Sequence, residues 1–126
     1  MKDMFLNRAE ENIKAAELLF NSELYNASVN RAYYSAFHIA IAALHSIGLE
    51  PTIDHRTIQA LFADMFINRR KVLSSKYKNY LSDLQNLRND ADYKDGCSRK
   101  AALSQIKLAK EFYFTIISEI LKWNWI

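Results

Sequence analysis

Residues 26–48 read NASVNRAYYSAFHIAIAALHSIG, and this stretch decides the fold class of the chain. It contains no proline, its only glycine is Gly48, and apolar residues occupy most positions around each helical turn. A helix that is apolar over most of its circumference must be buried among other elements. We therefore predict a central helix over residues 26–47, capped by Asn26 or Ser28 and ended by Gly48.

The composition of the whole chain predicts an all-α fold. Its 126 residues include only two glycines and one proline, too few turn-formers for a many-stranded sheet protein. Half of the residues are hydrophobic, which is enough for one domain with its own core. We predict a single domain over residues 1–126, without internal repeats or linkers.

Apolar residues at helical spacing predict four further helices. Their predicted ranges are 3–22, 54–66, 74–93 and 98–123. Asp54 or Thr52 is the predicted cap of the short one. Long helices with short connections favour an antiparallel four-helix bundle, with the short helix packed across one end. The aromatic residues of the last helix either belong to the core or mark a dimer surface: Tyr113, Trp123 and Trp125.

Cysteine usage and hydropathy exclude several classes of protein. The single cysteine, Cys97, cannot form an internal disulfide, and the histidines show no metal-ligand spacing. The first apolar run is interrupted by charges, unlike a signal peptide. The longest apolar stretch, Ile39–Leu44, is far shorter than the roughly 20 residues of a membrane-spanning helix. We predict a soluble, reduced, cytoplasmic protein without metal or cofactor.

The charge of the chain is mildly basic, at +3 with a pI near 9.0. This balance permits contact with RNA but does not by itself predict it. One local cluster of cations stands out, formed by Arg69, Arg70, Lys71, Lys76 and Lys78. Because short basic runs are usually surface, the favoured interpretation is a solvated loop.

The central helix carries a line of polar residues. Arg31, Ser35, His38 and His45 fall at i, i+4, i+7 and i+14, with Tyr34 beside them. This line is either the strip of the helix that meets solvent or a functional site. An arginine, a tyrosine and two histidines together make it the first candidate for chemistry.

Three stretches of the chain resemble the HEPN domains, which are small all-helical bundles. They are NRAYYSAFHIAIAALHSIGLE at 30–50, HRTIQALF at 55–62 and LQNLRNDADY at 84–93. The chain is most similar to the small stand-alone prokaryotic branch, with its R-x-Y-Y-x-x-F-H and R-x-x-A-D-Y signatures. The order and spacing of these motifs fit nearly the whole chain.

The resemblance implies two alternative functions. Many HEPN domains are metal-independent endoribonucleases that act as homodimers. The small stand-alone ones are often encoded beside a minimal nucleotidyltransferase, and the pair acts as toxin and antitoxin or in defence. Other members are non-catalytic modules that bind a protein or nucleotide partner. For this chain we therefore expect a homodimer with a nucleotidyltransferase partner and RNA as the ligand, or a binding module.

The chain departs from the motif of the active HEPN members at one position. Arg88 and Asn89 match the arginine and the polar residue, but Tyr93 stands where the active members have histidine. Metal-free RNA cleavage needs a base, an acid and a cation for the phosphorane charge. Arg88 supplies the cation, and Tyr93 is at best a proton donor. The candidate base is His38, so the expected catalytic set is Arg88, His38 and Tyr93.

Asp90 and Asp92 lie near the carboxyl end of the predicted fourth helix, where the helix dipole disfavours carboxylates. An i,i+4 pair of Asp92 with Arg88 contributes only about 0.2–0.5 kcal/mol or less. We expect instead that Asp92 accepts hydrogen bonds from Arg31 or Tyr34 of the central helix. Such a network either supports the site or only fixes the register of the two helices.

Overall fold

The computed structural model describes residues 2–93 and 96–121, and the side chains of all of these except Lys2, Asp92 and Tyr93. In this part of the chain there are five α-helices and no β-strand. The helices are α1 Lys2–Asn21, α2 Tyr25–Ser46, α3 His55–Phe62, α4 Tyr80–Tyr93 and α5 Arg99–Ile116. Two π-helical segments, Ala63–Arg69 and Ile117–Leu121, and a 3-10 turn, Ser75–Tyr77, complete the helical structure.

Helix α2 is the centre of the fold. Thirteen of its 22 residues are buried, and α1, α4 and α5 all pack against it. The prediction of a central buried helix is confirmed. Its buried polar side chains need hydrogen-bond partners, and Ser28 and Ser35 find them on a neighbouring helix.

Two serine hydroxyls show that α1 and α2 run antiparallel. Ser28 Oγ donates to the Ala16 carbonyl, and Ser35 Oγ donates to the Ala9 carbonyl, each at 2.7 Å. Later residues of α2 thus meet earlier residues of α1. Both serines are fully buried, so these bonds also satisfy hydroxyls that water cannot reach.

Two further helix pairs, α4 with α5 and α2 with α4, are also antiparallel. Between α4 and α5, Gln105 Nε2 donates to the Leu84 carbonyl at 2.9 Å, and Tyr80 Oη donates to Glu111 Oε2 at 3.1 Å. Between α2 and α4, Val29 packs against Ala91, while Tyr34, further along α2, meets Arg88, an earlier residue of α4. The predicted antiparallel four-helix bundle with an additional short helix is confirmed.

The short helix α3 begins as predicted, with Asp54 Oδ1 accepting from the Thr57 backbone N–H at 2.8 Å. Regular α-helix ends at Phe62 instead of residue 66, and a π-helical segment follows. The wider π turn brings residues four and five apart onto one face, so that Phe66 and Ile67 both reach the core beside Phe62.

The predicted cap of α2 and the predicted start of α4 are wrong. Helix α2 begins at Tyr25 after Leu24, which makes no side-chain cap, and Asn26 Oδ1 instead accepts from the Cys97 backbone N–H at 2.7 Å. Ser28 does not cap α2 either, because its hydroxyl donates to the Ala16 carbonyl of α1. Helix α4 begins at Tyr80, because the Ser74 hydroxyl caps only the preceding 3-10 turn.

Helix α5 begins as predicted, after Ser98, whose hydroxyl accepts from the Ala101 backbone N–H at 3.1 Å. Tyr113 is buried and therefore belongs to the core, whereas the neighbouring Phe114 is 57% exposed. Trp123 and Trp125 lie outside the described residues.

The described part of the chain bears on three further sequence expectations. None of its helices has the length and apolarity that crossing a membrane requires. No group of three or more metal-ligating side chains is found among the described residues. The basic cluster is exposed, and two of its members form surface ion pairs, Arg69 with Asp64 and Lys76 with Glu111.

We expect Leu84→Ala to destabilise the fold by about 2–5 kcal/mol, because Leu84 is fully buried between helices and its truncation leaves a cavity. The matched control is Leu18→Ala, since Leu18 is 68% exposed on α1 and its loss should change stability by about 0.5 kcal/mol or less. Urea unfolding of the two variants measures this, and equal losses would contradict the assigned core.

Candidate functional site

The side chain of Tyr34 lies between two arginines. Arg31, one turn earlier on α2, places Cζ 5.1 Å from the Tyr34 ring centre, and Arg88 on α4 places Cζ at 5.4 Å. Arg88 Nη2 also donates to Tyr34 Oη at 3.3 Å. The ring attracts both cations through its negative face. The fold thus brings together three of the residues that the sequence singled out.

The remaining predicted residues of α4 follow Arg88 directly. Asn89 Oδ1 accepts from Arg88 Nη1 at 3.1 Å, so the polar second residue of the motif orients the guanidinium. Asp92 and Tyr93 lie in the last turn of α4, but their side chains are outside the described residues. The bond from Asp92 to α2 and the role of Tyr93 stay predictions.

The polar line of α2 faces α1. Ser35 is fully buried and bonds to α1, and the ring of His45 lies edge-on against Phe5 with centroids 5.3 Å apart. Arg31 and His38 both reach Asn12 of α1. The line is therefore a polar seam between two helices, in which Ser35 is buried and the other members keep partial contact with solvent.

Asn12 is a member of the site that the sequence analysis missed. It is buried on α1, where Oδ1 accepts from Arg31 Nη1 at 3.0 Å and Nδ2 lies 3.3 Å from His38 Nδ1. The available signal was its position, since it falls three residues after Ala9 and four before Ala16, on the apolar face of α1. A lone amide on such a face needs a polar partner.

The ring of His38 is held neutral by its surroundings. Burial, followed by the charges of Arg8 and Arg31, lowers the pKa of His38 from 6.5 to about 4. A base with so low a pKa takes up a proton only weakly near neutral pH. His38 also lies close to Tyr34, with ring centres 6.0 Å apart.

His55 is a second residue that the sequence analysis missed as part of the site. The Tyr33 hydroxyl and His55 Nδ1 form a hydrogen bond. Burial raises the pKa of Tyr33, so the phenol keeps its proton. Burial and the charge of Arg88 lower the pKa of His55. The neutral form of this second histidine near Arg88 is therefore favoured. Its sequence signals were its place directly after the Asp54 cap and at the start of the stretch HRTIQALF.

A cleft of about 540 Å³ opens beside His55, between α3 and the start of α4. Its lining contains the cations Arg56 and Lys78, several neutral polar groups and no carboxylate. Gln59 and Gln85 close one wall through a hydrogen bond of 2.7 Å. The chemistry of the cleft suits a ligand that carries negative charge and accepts hydrogen bonds.

The fold and the cluster together define a class of protein: a small antiparallel helical bundle whose second and fourth helices bring two arginines to one tyrosine. Comparison with known proteins places the chain within that class. A family model described as the HEPN domain matches residues 3–120. The chain belongs to the HEPN domain family.

Three relatives are similar to the chain in sequence. "Putative toxin MJ0605" of Methanocaldococcus jannaschii is 33% identical over 114 residues, which cover 90% of this chain and 84% of the relative. "Putative toxin MJ0142" of the same organism is 33% identical over 91 residues, 72% of this chain and 60% of the relative. "UPF0332 protein glr0978" of Gloeobacter violaceus is 30% identical over 116 residues, 90% of this chain and 89% of the relative.

We expect the stability of the protein to fall as the pH drops from about 6.5 to about 4. In this window His38 binds a proton in the unfolded chain but stays neutral in the folded one, so protons favour unfolding. The contribution is about 1–2 kcal/mol, because the partly exposed ring is screened by solvent. Urea unfolding at about pH 7 and about pH 4.5 measures the loss.

The control for this prediction is His38→Gln, which removes the titrating group and retains a polar side chain. Carboxylates and the other histidines titrate alike in both proteins, so the difference between the two losses isolates His38. Parallel losses in wild type and variant would show that His38 titrates normally in the folded protein.

Proposed function

We propose that the protein is the HEPN component of a toxin–antitoxin or defence module and acts with a minimal nucleotidyltransferase partner. Two relatives are named as putative toxins, and the family resemblance implies the pairing. On this proposal the protein is a homodimer, and the partner restrains its activity.

The proposed activity is metal-independent cleavage of RNA at the Arg88 centre. The attacking 2′-hydroxyl loses a proton, the phosphorane gains negative charge, and the leaving 5′-oxygen gains a proton. Arg88 stabilises that charge, because a guanidinium stays ionised and fits two phosphate oxygens. His38 and Tyr93 are the candidate groups for handling the protons.

The observation that carries this proposal is the convergence of Arg31 and Arg88 on Tyr34. Two cations held by one ring form a positive site at which a phosphodiester binds favourably. The basic cleft beside His55 supports it, since it offers further donors to a chain of phosphates.

A non-catalytic binding module is the second candidate function. The lowered pKa of His38 favours it, because a base with a pKa of about 4 removes a hydroxyl proton slowly at neutral pH. The tyrosine at position 93 favours it as well, since active members of the family have histidine there. In this case the arginine pair binds an anionic partner without cleaving it.

We expect the purified protein to cleave single-stranded RNA in the presence of a metal chelator, and Arg88→Ala to slow cleavage by about 100-fold or more, because the phosphorane charge loses its cation. Arg69→Ala is the matched control, since Arg69 is exposed and pairs with Asp64 on the surface. Gel analysis of labelled RNA measures the rates.

Two results would argue against the enzyme. RNA that stays intact during long incubation with the purified protein would favour the binding module. Equal loss of cleavage in Arg88→Ala and Arg69→Ala would indicate a general charge effect instead of an Arg88 centre. Co-purification with a nucleotidyltransferase from a neighbouring gene tests the partner separately from the chemistry.

A further inference from the structure

The amide of Asn12 has its orientation fixed by its partners. Arg31 Nη1 can only donate, so the Asn12 atom 3.0 Å from it must be the acceptor Oδ1. The Arg8 carbonyl can only accept, so the atom 2.9 Å from it must be the donor Nδ2. Each bond requires the same orientation, and a flipped amide would lose both.

The orientation of Asn12 in turn determines the state of His38. The donor Nδ2 also lies 3.3 Å from His38 Nδ1, and its second hydrogen is available for this contact. Nδ1 must then offer a lone pair, which leaves the ring proton of a neutral imidazole on Nε2. The nearby charges of Arg8 and Arg31 oppose a second proton on the ring.

We propose that Asn12 is a positioning residue that holds His38 as the neutral Nε2–H tautomer, so that His38 acts as an N–H donor to an oxyanion. One amide fixes both side chains, because Asn12 Oδ1 accepts from Arg31 Nη1 while Asn12 Nδ2 faces His38 Nδ1. That the oxyanion belongs to the RNA backbone rests on the proposed function.

This state changes the role of His38 in the proposed chemistry. Its lone pair is taken by Asn12, and Nε2 already carries a proton, so the ring does not accept the proton of the 2′-hydroxyl. A neutral imidazole N–H instead stabilises developing negative charge by a hydrogen bond, without transferring its proton. Proton removal then falls to another group or to solvent.

The direct test is long-range ¹H–¹⁵N NMR of the ¹⁵N-labelled protein at neutral pH, which distinguishes the two tautomers by the shifts of the ring nitrogens. We expect an unprotonated Nδ1 and a protonated Nε2 for His38. The reverse pattern in the wild-type protein would overturn the inference, and this measurement requires no variant to fold.

Asn12→Asp tests the positioning role. A carboxylate accepts from both Arg31 and His38, so we expect the proton to move to Nδ1 and the midpoint of the His38 titration to rise by at least about one pH unit. The matched control is Asn7→Asp, which introduces the same charge at an exposed position of α1. Identical His38 spectra in the two variants would overturn the inference.

A non-cleavable 2′-O-methyl RNA oligonucleotide separates this inference from the proposed function. We expect its addition to shift the Nε2 signal of His38 in the wild-type protein. If His38 is the Nε2–H tautomer but its signal does not shift when RNA is added, the claim that RNA is the ligand is overturned. The positioning role of Asn12 then still stands. The Nδ1–H tautomer in a protein that cleaves RNA would overturn the positioning role alone.

Discussion

Burial of α2 among the other long helices is the constraint on which the rest of the structure depends. Water does not reach this helix on most sides, so its polar side chains require partners from the protein. Ser35 and His38 find them on α1, and Tyr34 finds Arg88 on α4. The candidate site is thus made of the contacts that satisfy a buried helix, which explains why structural and chemical roles overlap in the same residues.

Much of the fold could be predicted from the sequence, because apolar spacing reports directly which face of a helix is buried. The errors in the predicted helix ends occur where a side chain binds a residue distant in the sequence, or caps a shorter turn that precedes the helix. Asn26 serves the Cys97 backbone of a distant turn instead of capping α2. Ser74 caps a 3-10 turn, and α3 changes to π winding after Phe62 so that two further residues reach the core.

The candidate site was predictable only in part. The approach of Arg88 to Tyr34 could be expected, because both residues belong to motifs that resemble one family. Asn12 and His55 could not be assigned partners, since each is a single polar residue whose neighbour depends on how two helices are offset along their axes. Spacing within one helix fixes a face but not that offset. The low pKa of His38 likewise arises from burial between helices and from the charges of Arg8 on α1 and Arg31 on α2.

The two serine bonds between α1 and α2 have a mechanical consequence. Ser28 and Ser35 donate hydrogen bonds to carbonyls of α1 at two points seven residues apart, or about 10 Å along the helix axis. Two fixed points prevent α1 from sliding or rolling on α2 as a rigid rod, because any such motion breaks both buried bonds at once. The polar side chains between the two points, Arg31 on α2 and Asn12 on α1, therefore have little freedom to move relative to each other.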